Sequence, residues 1–172
     1  MKTPKSFSDN VKNNIITEDI LGACIYSVNK RAKNYRDNVH ALYADLDSVK
    51  SHYGSTGVDY QYKNISAAKG HRDLYYEYKE QLLALVDPVS IHTEGSNTSS
   101  NLRYYLYYRV GGYSFHKPLE ETDLDKYPDL PKEDIGSLTT FGHEIEDLIS
   151  MQFVQKLLHL IHTNQYTFQR SN

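Results

Sequence analysis

Arg103, Tyr105, Tyr107 and Arg109 recur at every second position of the segment 102–110. Guanidinium groups bind carboxylates and phosphates in a two-pronged geometry, and tyrosine rings stack and hydrogen-bond. In an extended strand, alternate side chains share one face. The four residues therefore predict a flat panel, with Leu102, Tyr104, Leu106, Tyr108 and Val110 on the opposite, core-facing side. Gly111-Gly112 follows and reads as a two-residue hairpin turn. If Val110 pairs with Tyr113, Ser114 faces Arg109 and His116 faces Tyr107, so His116 completes the panel. Such a surface suits a protein partner, because Tyr and Arg dominate binding hot spots. It also suits single-stranded nucleic acid, whose bases stack on aromatic rings.

A second group of cations is Lys30, Arg31, Lys33 and Arg36. On a long helix these form a wet basic face or a contact for an acidic partner.

Catalytic signatures are imitated rather than present. His71-Arg72-Asp73-Leu74 copies the start of the protein-kinase catalytic loop, but Tyr78 stands where that loop needs a metal-binding asparagine. His143-Glu144-Ile145-Glu146-Asp147 resembles a zincin helix with Asp in place of the second His. A metal-dependent hydrolase built on His143 and Asp147 would still need a third ligand. His159 and His162 fit cations near a helix C-terminus. Asp45/Asp47 and Asp123/Asp125 offer paired carboxylates; the former fall on a helix, where alternate residues do not face each other, and the latter lie in the acidic loop as a weak candidate for a divalent cation. No catalytic residue, metal ligand or cofactor is assigned.

The elements that must position these groups follow from periodicity. Leu21, Ile25, Val28, Ala32, Tyr35, Val39, Leu42, Leu46, Val49 and Tyr53 step by 4 and 3 without a miss. This spacing predicts a helix over about 17–53 that lies along another helix. Thr17 is placed as its N-cap and Gly54 as its stop. Residues 54–59 read as a turn, and a second helix is expected over about 64–87, ended by Pro88. Short strands are expected over 88–118 and an acidic loop over 119–139. A C-terminal helix is expected over 140–163 with a wide apolar face. Residues 1–16 read as a flexible arm.

The chain of 172 residues has a formal net charge of −3, sixteen tyrosines, no tryptophan and one cysteine, Cys24. The charge exerts no global pull toward nucleic acid or membrane. One cysteine cannot form an internal disulfide. No apolar leader or membrane-length stretch is visible, and the expectation is a soluble, cytoplasmic protein.

The expectation is a single α+β domain after the arm. It combines a long antiparallel helical hairpin, a small antiparallel sheet of about three strands, and a C-terminal helix packed across both. The expected function is non-enzymatic. It is the binding of a protein partner or of a second copy through Arg103, Tyr105, Tyr107, Arg109 and His116, with Lys30, Arg31, Lys33 and Arg36 as a further contact. Nucleic-acid binding by the same residues is the first alternative, and metal-dependent hydrolysis the second.

Overall fold

The computed structural model describes residues 3–95, 102–136 and 148–170. The architecture is α+β: two long helices packed together, a small sheet that is mostly antiparallel, and a C-terminal helix. The chain divides into two compact units. One comprises residues 24–83, the other residues 1–23 and 84–172.

The unit of residues 24–83 is the helical hairpin. Helix α2 (Glu18–Ala44) enters it, and α3 (Leu46–Leu83) completes it. Between them Asp45 is a turn residue, yet its N–H still bonds Ala41 and its carbonyl accepts from Val49. The helical ladder therefore runs on nearly to Gly54. There the backbone leaves helical geometry at φ 66, ψ −158. Few residues other than glycine reach such a conformation cheaply. One glycine thus replaces the longer turn expected over 54–59, and residues 55–63 are helical. The second arm ends at Leu83, not at 87.

Pairing across the hairpin is antiparallel, because partners on one arm fall in number as those on the other rise. Gly57 lies against Val49 and Tyr53. Gln61 donates to the Leu42 carbonyl at 3.1 Å, and Lys69 donates to the Tyr43 hydroxyl at 2.6 Å. Tyr35 stacks on His71 and Tyr75. Val39, Ile65 and Ala68 form a buried cluster, with Tyr35, Leu42 and Leu46 packed against it. Burial along the seam is graded. Ile25, Val28 and Ala32 are fully buried, whereas Tyr53 is 74% exposed.

In the other unit the expected arm carries helix α1 (Lys5–Lys12) and strand β1 (Ile15–Thr17). β1 pairs in parallel with β6 (Thr167–Gln169), a second sheet that the pattern did not announce. The main sheet contains β2 (Ser90–Glu94), β3 (Arg103–Val110), β4 (Tyr113–Leu119) and β5 (Lys132–Gly136) in the order β4-β3-β2-β5. Among the described residues it has four strands, where about three were expected. β5 joins β2 in parallel from within the stretch expected as an acidic loop. Its charged residues Lys132, Glu133 and Asp134 suit an exposed edge. The rest of that stretch includes a short 3₁₀ helix, Glu121–Lys126.

Helix α4 (Met151–His162) starts later than expected. The Ser150 hydroxyl accepts from the Phe153 N–H at 3.2 Å and caps it, and residues 148–150 are not helical. Residues 140–147, with His143 and Asp147, lie outside the described residues. Phe153, Val154, Leu157 and Leu158 form the buried stripe of α4.

The main hairpin seats on the first turns of α2. A Cβ on Gly22 would collide with the Val110 carbonyl oxygen. One on Gly111 would collide with the Glu18 carbonyl oxygen and lie 2.9 Å from Asp19 Cα. Both glycines are contact points where backbone meets backbone.

Candidate functional site

The β3–β4 hairpin has the register expected from its turn: Val110 opposite Tyr113, Arg109 opposite Ser114, and Tyr107 opposite His116. Gly111 and Gly112 both have positive φ, 56 and 84. Such a primed turn matches the right-handed twist of the strands it joins. Leu106, Tyr108, Val110 and Phe115 are buried on the core face. On the other face Arg103 and Arg109 are exposed, and Tyr105, Tyr107 and His116 are half-buried.

Residues from the neighbouring strands enlarge this panel. Pairing of β2 with β3 sets Ser90 opposite Tyr107, His92 opposite Tyr105 and Glu94 opposite Arg103. Glu133 of β5 pairs with His92. Sequence alone did not place Ser90, His92, Glu94 or Glu133 here. The available signal was the alternation Ser90-x-His92-x-Glu94, but the polar stretch 95–101 that follows is too long to fix its register with β3.

At the centre lies an aromatic cluster. The His92 ring stacks on Tyr107 with centroids 4.2 Å apart and planes 17° from parallel. His92 Nδ1 lies 2.8 Å from His116 Nε2, a hydrogen bond between two imidazoles. His116 also meets Tyr107 at 5.1 Å and Tyr105 edge-on at 5.9 Å. The Tyr107 hydroxyl bonds Ser114 Oγ at 3.0 Å. The Tyr105 hydroxyl donates to Glu94 Oε1 at 3.2 Å. Burial and the Glu94 charge raise the Tyr105 pKa above the usual phenol value, and Arg103 opposes them. Tyr105 is therefore a neutral donor at physiological pH.

His92 is 7% exposed. Its Nε2 lies 3.3 Å from Glu133 Oε2, without hydrogen-bond alignment. The Glu133 side chain is 60% exposed, so the carboxylate has room to turn toward it.

The α2 cations Lys30, Arg31, Lys33 and Arg36 belong to the helical-hairpin unit. Burial lowers the Lys33 pKa, and the charges of Arg36 and Lys30 lower it further, against Asp37. Burial also lowers that of Arg31. Arg36 reaches Asp37 at 3.3 Å. The His71–Leu74 imitation sits within α3, where Arg72 pairs with Asp73 at 2.9 Å.

Among the described residues, no group of three His, Cys, Asp or Glu side chains is arranged to hold a metal ion. No described helix is long and apolar enough to cross a membrane. Cys24 is fully buried, and burial pushes its thiol up to about 12, so it is a packing residue rather than a nucleophile. Comparison with known protein families, with curated proteins and with solved structures finds no match.

Proposed function

We propose that the protein is a non-enzymatic binding protein that presents the β3–β4 panel to a protein partner bearing both acidic and basic groups. The α2 cations serve as a further contact group for acidic surface. The observation that carries this reading is the state of the panel. Arg103 and Arg109 are exposed, while the tyrosines between them are already fixed by hydroxyl hydrogen bonds and ring stacking. Pre-ordered aromatic side chains lose little freedom on binding, which lowers the entropic cost of association. Exposed arginines beside them supply charge-assisted hydrogen bonds.

The same geometry weighs against nucleic acid. One face of the Tyr107 ring is taken by His92, so it offers little platform for a base. Glu94 and Glu133 share the panel with the arginines and repel phosphate. A partner with mixed charge fits better than a polyanion.

The test compares proteins captured from the native cell extract by the wild type and by the Arg103→Glu/Arg109→Glu variant, both confirmed folded by circular dichroism. The expected result is at least one stoichiometric partner whose capture falls tenfold or more, because reversing two interface charges places like charges together. Equal capture of every partner by both proteins refutes the panel as a docking face. Salt-sensitive binding of single-stranded DNA or RNA at low ionic strength, lost in the variant, replaces the reading with the nucleic-acid one.

A further inference from the structure

We infer that the groove between α1 and α4 is a second docking site, and that its occupant is an acidic amphipathic helix of a partner protein. Both helices belong to the same compact unit. The groove has a volume of about 810 Å³ and is open rather than enclosed. Helix α1 contributes Ser8, Val11 and Lys12, which are spaced i, i+3 and i+4 and so share one face. Helix α4 contributes a strip from Gln152 to Leu160. At a rise of about 1.5 Å per residue that strip is about 12 Å long, the length of roughly two turns of an incoming helix.

The chemistry of the walls selects the occupant. The floor is apolar: Val11 and Phe153 are buried and Leu160 is half-buried. Around it stand Lys12 from α1 and Lys156 and His159 from α4, all exposed. Among the described residues no acidic side chain lines the groove. Among the same residues, the side chains of Lys12, Lys156 and His159 make no hydrogen bond or ion pair within the protein. The two ammonium groups are therefore free for carboxylates from outside.

An apolar floor takes the i, i+3/i+4, i+7 ridge of an amphipathic helix. Two lysines with no acidic neighbour in the groove favour a helix whose flanks carry Asp and Glu. An open groove does not enclose a small ligand, as cavities for such molecules do. A flat lipid surface does not reach a floor set between two helices. The site is separate from the panel, because no residue of β2, β3, β4 or β5 lines it.

The test is a displayed library of peptides of about 15 residues, long enough to form a helix. Each carries leucine or phenylalanine at i, i+4 and i+7 and random polar or charged residues elsewhere, and the library is sorted against the whole protein. The expected result is enrichment of net acidic peptides whose binding shifts the backbone amides of 8–12 and 152–160 in ¹H–¹⁵N spectra. The Lys12→Glu/Lys156→Glu variant binds them about tenfold or more weakly. Both lysines are exposed, so the variant keeps the fold, and circular dichroism checks it. The wild-type amide shifts locate the site by themselves if the variant does not fold. Enrichment of no peptide, of basic peptides, or of acidic peptides that shift other amides overturns the proposal. Sedimentation with phosphatidylserine vesicles that the variant loses replaces the helix with a lipid surface and overturns it too. Self-association lost in the variant makes the occupant a second copy, again against the proposal. No panel residue enters the measurement, so its failure and the failure of the panel as a docking face are read separately.

Discussion

Replacing Gly111 with alanine tests how the panel's hairpin is held. Gly111 has φ 56, and a side chain there costs about 1–2 kcal/mol for the left-handed backbone alone. The added Cβ also meets the Glu18 carbonyl oxygen and lies 2.9 Å from Asp19 Cα. Both obstacles are backbone in the first turn of α2, so no rotamer change relieves them. Forcing them apart adds about 1–3 kcal/mol, for a total of about 2–5 kcal/mol. Gly112 is the internal control. Its φ is 84, but nothing lies within 4 Å of its Cβ position, so Gly112→Ala costs about 1–2 kcal/mol. With a urea dependence of about 2 kcal/mol per M, the midpoint falls by about 0.5–1 M for Gly112→Ala and by about 1–2.5 M for Gly111→Ala. Gly22→Ala sharpens the comparison. In a free helix it would stabilise by about 1 kcal/mol. Here its Cβ strikes the Val110 carbonyl oxygen and lies 3.1 Å from Tyr113 Cδ2, so it destabilises instead. Urea unfolding followed by circular dichroism measures all three. Equal midpoints for the Gly111 and Gly112 variants, together with a stabilised Gly22→Ala, refute the seating of the hairpin on α2.

Four further outcomes follow from the packing. Ile65 is 2% exposed inside the hairpin core, so Ile65→Ala costs about 2–4 kcal/mol in urea unfolding. Tyr53 ends the same seam exposed, and Tyr53→Ala stays within about 0.5 kcal/mol of wild type. Cys24, its thiol pushed up to about 12, is alkylated by iodoacetamide at pH 8 about a thousandfold more slowly in the folded protein than in urea; mass spectrometry over time reads the ratio. Ser150→Ala removes the cap of α4 and costs about 1 kcal/mol, seen as a lowered midpoint and faster exchange of the Phe153 amide.

Local chemistry made some elements legible. The glycine pair at 111–112 fixed the β3–β4 register because a two-residue turn leaves no freedom in the pairing. The 4-3 seam revealed a helix along a helix, and Gly54 marked its end. Other elements lacked any local signal. Residues 5–12 carry one buried apolar residue, Val11, and no capping side chain, so their helix does not announce itself. β5 is mostly charged and gains its ladder from β2, far away in sequence. β1 and β6 are three residues each and pair across almost the whole chain. Gly57 suggested a turn, but its missing side chain instead admits Tyr53 and Val49 to close approach within the hairpin.

The same distinction decides the character of the panel. Read from one hairpin, it is basic: two arginines, two tyrosines and a histidine. Sheet pairing then delivers Glu94 beside Arg103 and Glu133 beside His92, from segments whose register no turn specifies. Tyr105 now donates to a carboxylate, and Tyr107 lies against a second histidine. Rings that would have been stacking platforms become fixed parts of a polar network. A surface with opposite charges at set positions selects a partner by complementary placement rather than by net attraction. For such a face, salt should weaken binding far less steeply than it weakens the docking of a polyanion.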